Sequence, residues 1–288
     1  MRFNSVFLFA AFLLHSLFQA CSSADKEAVV LKFNLQKGKT YNYSMNVDMD
    51  NEVQGQKMSS DMNFNYEIAV TDDLNGIKTL STTYRRIVMN MDAPGMNVEV
   101  DTDEPLKDSA NSGNPMNMMG KMFHALKGKS FQMKVSEEGQ IVEVVGMQEL
   151  TEAMVSSVSA DEQMKNMMRQ MFASQFSEEN IKQSFSQAFN IFPKKAVKVG
   201  DKWDREVTTK GMIAGQFKTT YTVKEINADD VVLDMASTIN VAEMKGTQSG
   251  TLHVDPKIGL VTDGNMEQKF GGTMNAVSKI KITGKEKQ

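Results

Sequence analysis

One thiol, two groups of methionines and two histidines beyond the leader are the side chains whose types and spacing could do chemistry in this 288-residue chain. Cys21 is the only cysteine, and it stands directly after an apolar N-terminal run ending Phe18-Gln19-Ala20. With no second cysteine it cannot close an internal disulfide, so its chemistry is that of a nucleophile for acylation. Met116, Met118, Met119 and Met122, with Met164, Met167, Met168 and Met171, offer thioethers that could hold Cu(I). Only His124 is near the first group, and the second falls at i, i+3, i+4 and i+7, the spacing of a buried helix face. Core packing is therefore favoured over copper, and no metal or cofactor is assigned.

The carboxylates are read as bland. Asp48, Asp50 and Glu52 share one strand face, but they alternate with Met45, Val47 and Met49, as on a sheet with one wet side. Asp101, Asp103 and Glu104 lack the glycine and the terminal glutamate of a calcium loop. His253 lies between Leu252 and Val254 in a strand and points to the wet face. The chain contains no HExxH, GxSxG, Walker or GxGxxG pattern, so no enzyme is expected.

The leader sets the context. Arg2 gives a positive n-region, Val6 to Phe18 an apolar h-region, and Ala20 the small residue before Cys21, a layout too short for a spanning helix. Phe18-Gln19-Ala20-Cys21 resembles a bacterial lipobox, with Phe18 where leucine is commonest. That resemblance implies cleavage before Cys21 and acylation of its thiol, each buried CH₂ adding about 0.8 kcal/mol of membrane affinity. Residues 1–20 are thus a signal peptide and 21–27 a polar tether. Only Asp25 and Glu27 resemble an acidic surface-export signal, so the face of the outer membrane stays open. The net charge of −4 argues against nucleic acid or anionic membrane surfaces as partners.

These residues must be positioned by strands and helices. Tyr41, Tyr43, Met45, Val47 and Met49, then Met62, Phe64, Tyr66, Ile68 and Val70, alternate with polar residues at the period of a half-buried sheet. Asp73-Leu74-Asn75-Gly76 and Pro94-Gly95 supply turns. Residues 101–115 read as a loop, in which Asp108-Ser109-Ala110 resembles an O-glycan acceptor but is read as bare solvated chain. Helical spacing follows in Met116–Leu126, in Met147, Leu150 and Met154, behind a capping box at Ser159–Glu162, and behind Ser177, with Pro193 as a stop. Strands return from Trp203 to Ile282, for roughly eleven to thirteen in all, within the usual limits of a curled sheet.

The expected fold is α+β: a mostly antiparallel curved sheet or half-barrel with three or four inserted helices. Residues 28–288 form one large β-rich domain, or two β halves, 28–146 and 194–288, joined by a helical region at 147–193. Lys37-Gly38-Lys39-Thr40-Tyr41-Asn42-Tyr43, Gly128-Lys129-Ser130-Phe131 through Glu138-Gly139, and Phe192-Pro193 followed by Val199-Gly200-Asp201-Lys202-Trp203 resemble an uncharacterised family of secreted bacterial lipoproteins, frequent in Bacteroidota. The order strands, helices, strands also resembles periplasmic lipoprotein carriers with a half-barrel and helical lid, a likeness of layout.

The function expected is non-catalytic: an envelope lipoprotein that binds an apolar ligand or a partner protein in a groove between sheet and helices. Met164, Met168, Met171, Phe185 and Phe189 are its expected lining, because unbranched, polarisable methionine moulds to apolar guests. The alternatives are a structural or surface-display lipoprotein whose helices plug the sheet, and Cu(I) handling.

Overall fold

The computed structural model describes residues 28–53, 55–106, 115–158, 161–175, 177–209, 215–241, 244–271 and 275–288. The leader, Cys21, the tether and Ser109 lie outside the described residues.

Alternation of apolar and polar residues yields twelve strands among them: β1 (Thr40–Val53), β2 (Gln56–Leu74), β3 (Ile77–Ala93), β4 (Met96–Asp101), β5 (Ser130–Val135), β6 (Ile141–Val145), β7 (Lys202–Thr209), β8 (Gly215–Ile226), β9 (Val231–Val241), β10 (Met244–Val254), β11 (Val261–Gly271) and β12 (Asn275–Glu286). The helices are α1 (Pro115–Leu126), α2 (Met147–Val158), α3 (Glu162–Gln175) and α4 (Glu178–Phe189). All strands belong to one sheet of order β6-β5-β3-β2-β1-β12-β11-β10-β9-β8-β7, with β4 added beside β3.

The α+β expectation is corrected here. Among the described residues the strands hold 132 and the helices 50, so the molecule is mainly β. The physical reason is strand length: β2 and β3 run 19 and 17 residues, whereas each helix has only 12 to 14. The helices dress a continuous sheet and do not form a layer of their own.

Every named strand pairing is antiparallel, and β1 and β12, the first and last strands among the described residues, pair at the centre, Tyr41 opposite Glu286 through Glu52 opposite Asn275. The hairpin between β2 and β3 turns on Asn75 and Gly76, both at positive φ, as a tight two-residue turn requires. Between Asn65 and Tyr66 the register shifts, so Tyr66 faces Tyr84 while Phe64 faces Ile87. That bulge moves the inward parity of β3 from even to odd residues.

The two outermost strands of the main path, β6 and β7, both pack against α4. The sheet therefore curls until one helix reaches both edges, covering strands that would otherwise offer unpaired backbone. Ser177 caps α4, its hydroxyl accepting from the Asn180 amide at 3.2 Å. α1 leans on β3 and β4, and α2 sits between α1 and α3.

One end of the curl is filled. Leu31, Phe33 and Leu35 are buried, and their segment is held by Val29 pairing with Val197, Phe33 donating to the Glu137 carbonyl at 2.7 Å, and Asn34 donating to the Ile258 carbonyl at 2.9 Å. Gly259 lies beneath this segment at φ +68, where a Cβ would stand 2.1 Å from the Lys32 carbonyl oxygen. Only glycine fits both the backbone angle and the gap.

Candidate functional site: an apolar cleft beneath the end of helix α4

Strand register sorts the inner face of the sheet into rows. One row runs Val223, Leu233, Leu252, Gly264, Ile282, Met45, Phe64, Ile87. The next runs Trp203, Tyr221, Met235, Gly250, Met266, Ile280, Val47, Met62, Met89. Both are apolar, as an inward face should be. A third row is polar: Arg205, Thr219, Ser237, Gln248, Gln268, Ser278. Beyond it Val207, Phe217, Ile239 and Phe270 restore apolar character.

A cleft of about 170 Å³ opens on this face beneath Ser186, Asn190 and Ile191, and reaches about 880 Å³ when its solvent-open mouth is included. Its floor is Met45, Met235, Met266, Ile280 and Ile282, its far wall Val207, Phe217 and Tyr221, and its polar edge Arg205, Thr219 and Gln248. Larger recesses exist, about 610 Å³ against β4 and α1 and about 790 Å³ over β7 to β10. The first mixes Val88, Val98, Val100 and Leu106 with Asp101 and Glu104, and the second is mostly polar, with Asp204, Glu206 and Lys218 beside Arg205 and Thr219. Ligand sites are mostly apolar with a few placed polar groups, a description the α4 cleft meets most fully of the three.

The polar edge is electrostatically unusual. Arg205 donates from Nη1 to the Asp204 carbonyl at 3.0 Å and from Nη2 to the Phe192 carbonyl, while its buried Nε has no acceptor. Burial pulls the guanidinium below its usual value, and no carboxylate among the described residues pairs with it. Thr219 shares a 2.8 Å hydrogen bond with Ser237, and the Gln248 amide reaches only the Met266 sulfur at 3.6 Å. Tyr221 stacks on Trp203 at 5.6 Å, and burial pushes its phenol up to about 12.

The five residues expected to line a groove are not brought together. Met168 is buried with Phe172 and Val155, whereas Met164 and Met171 are exposed at 42% and 53%. Phe185 and Phe189 join the main core through ring contacts to Phe131 at 5.6 Å and Phe33 at 5.4 Å. So α4's aromatic face plugs one end of the curl, and the cleft lies beside that plug on residues the sequence reading did not select. His124 caps locally, with its ring nitrogens on the Gly120 and Glu104 carbonyls at 2.9 and 2.8 Å. His253 meets Asp230 at 2.9 Å on the outer side. Asp48, Asp50 and Glu52 are exposed. Among the described residues no group of three or more His, Cys, Asp or Glu side chains could hold a metal ion.

A clue to Arg205 does exist in the sequence. Trp203, Arg205 and Val207 alternate with Lys202, Asp204 and Glu206, which places one arginine on the face of the only tryptophan.

What the fold and cleft define is a mainly β protein with one curled antiparallel sheet around a partly filled interior. The chain belongs to a family of unknown function, DUF6263, which matches residues 75–261. No curated protein matches it. Among solved structures it is similar to lipovitellin, in a study of lipid–protein interactions, over 87% of this chain at 13% identity with a TM-score of 0.50. The chain spans 25% of that lipovitellin chain, and at such identity the likeness speaks for the fold alone. A protein with a YmcC-like fold from Bacteroides fragilis aligns over 87% of this chain and 97% of its own, at 10% identity and a TM-score of 0.28, too low to speak for a common fold. No helix among the described residues is long and apolar enough to cross a membrane.

Proposed function

We propose that this protein is a non-catalytic, acyl-anchored component of a bacterial outer membrane that binds an apolar ligand in the cleft beneath α4. The observation that carries the reading is the cleft's methionine floor, in which Met45 and Met266 stay partly open beside buried Met235. Methionine has three rotatable bonds and adapts its contour, so such a floor yields to a guest more readily than leucine or phenylalanine. The enclosed 170 Å³ lies below the roughly 300–1,000 Å³ of ordinary ligand pockets. A ligand would therefore seat one segment under α4 and lay the remainder along the open rows. Anchoring at Cys21 rests on the apolar leader and the lipobox-like tetrad.

Native mass spectrometry of gently purified protein, followed by lipid extraction, tests the binding. A co-purifying lipid is expected. Protein that is consistently empty, and stays empty after incubation with lipid extract, would leave the structural-component reading in its place. Anchoring is tested separately by labelling cells with a clickable fatty acid: incorporation is expected in the wild type and none in Cys21→Ala.

A further inference from the structure

We infer that the cleft selects amphiphiles with an anionic head, which seats on Arg205 while the tail crosses the methionine row; this deepens the apolar-ligand reading and rests on it. The argument begins with charge. Arg85, Arg86 and Arg169 are each paired with a carboxylate, Glu67, Asp101 and Glu152, at 2.5 to 2.8 Å. Arg205 has only two carbonyls, and its Nε is buried with no acceptor. Arginine keeps its charge at any physiological pH, and a partly desolvated charge without a counter-ion is unfavourable. An incoming carboxylate or phosphate would supply both the missing charge and the missing acceptor, in the forked geometry that guanidinium matches.

Position agrees with charge. Arg205 stands at the outermost strand β7, directly opposite Thr219, whose hydroxyl adds a second donor beside the head. From there the adjacent apolar row passes Tyr221, Met235, Met266 and Ile280. At about 4.8 Å per strand the path from β7 to β12 is about 24 Å long. One acyl chain spans about half the roughly 30 Å hydrocarbon core of a bilayer, so it fits that path with the head at the open edge. Gly250 contributes no side chain to the row, and a Cβ there would stand 2.2 Å from the Asn265 carbonyl oxygen, so the neighbouring strand lies close at this point.

Purified, delipidated protein titrated with palmitate, its neutral glycerol monoester and lysophosphatidate tests the inference. The wild type should bind at least one anionic ligand about tenfold or more tightly than the ester, the usual worth of one charge-assisted contact. Arg205→Gln, which keeps an amide toward the Phe192 carbonyl, should lose that preference, its affinity for the anionic ligands falling to about that for the ester, and Arg205→Lys should retain it. Preference for palmitate identifies a free carboxylate as the head, and preference for lysophosphatidate alone identifies a lipid phosphate. Equal affinity of the wild type for all three overturns the inference and leaves apolar binding standing, whereas no binding of any removes both. If Arg205→Gln does not fold, the wild-type comparison of head groups decides alone.

Discussion

The indole Nε1 of Trp203 donates to the carbonyl of Ile191 at 2.8 Å, tying the edge strand β7 to the segment that roofs the cleft. Ile191 is buried, so its carbonyl has no ready access to water. Trp203→Phe keeps an aromatic ring but leaves that acceptor unpaired, and should destabilise the protein by about 1–3 kcal/mol. Urea unfolding followed by far-ultraviolet circular dichroism measures this, and amide hydrogen exchange should quicken in residues 190–192. A variant as stable as the wild type would show the bond to be idle. Because Trp203 is the only tryptophan and stacks on cleft-lining Tyr221, wild-type fluorescence should shift on ligand binding.

Two glycines with similar backbone angles should respond differently to alanine. At Gly259, φ +68 combines with a Cβ position 2.1 Å from the Lys32 carbonyl oxygen, so the strap over the core must move. At Gly38, φ is +82 with nothing within 4 Å. Gly38→Ala should cost about 1–2 kcal/mol from the backbone angle alone. Gly259→Ala should cost clearly more, read as the larger drop in Tm. Equal drops would mean the strap is not tightly seated.

Helix α3 separates burial from composition. Met168 is buried, and Met168→Ala should cost about 2–5 kcal/mol through the cavity it leaves. Met167 is 63% exposed on the same helix, and Met167→Ser should stay within about 0.5 kcal/mol. Chemical denaturation of both variants checks the contrast.

Acid should weaken the β3–β4 region through Asp101. Hydrogen bonding from Arg86 holds its carboxyl at about 2, below the ordinary 3.8. A folded value below the unfolded one means stability that is fully present above about pH 4 and drains away as pH falls toward 2. Tm profiles of wild type and Asp101→Asn should differ at pH 5 and converge by pH 2. A gap that persists at pH 2 would place the effect elsewhere.

The sheet was legible because Tyr41 to Met49 and Met62 to Val70 show period two without interruption, and the hairpin between β2 and β3 bears an Asn-Gly turn. The bulge at Tyr66 was not, since β2 keeps its alternation while β3 absorbs the extra residue at Arg85. Helical spacing located α3 but not what it faces. Met164, Met167, Met168, Met171 and Phe172 fit one stripe, yet α3 packs mainly on α2, with Met122 of α1 beside it, a contact wide enough to bury only Met168 and Phe172. Helical content was overweighted into the wrong class, because several helix signals in a row hid how short each helix is beside β2 and β3. The cleft was missed for a different reason. Asp204-Arg205-Glu206 reads as solvated charge, and the two-residue spacing from Trp203 is the one hint that its middle residue turns inward, as its pairing with Thr219 shows.

The seam between β1 and β12 has a consequence for how the molecule is made. Residues 275–286 are synthesised long after β1, yet they fill the slot beside it at the middle of the sheet. Until they arrive, β1 waits with one margin bare, and two growing halves hold no common register. Assembly must therefore wait for β12 and proceed slowly, as long-range pairing dictates.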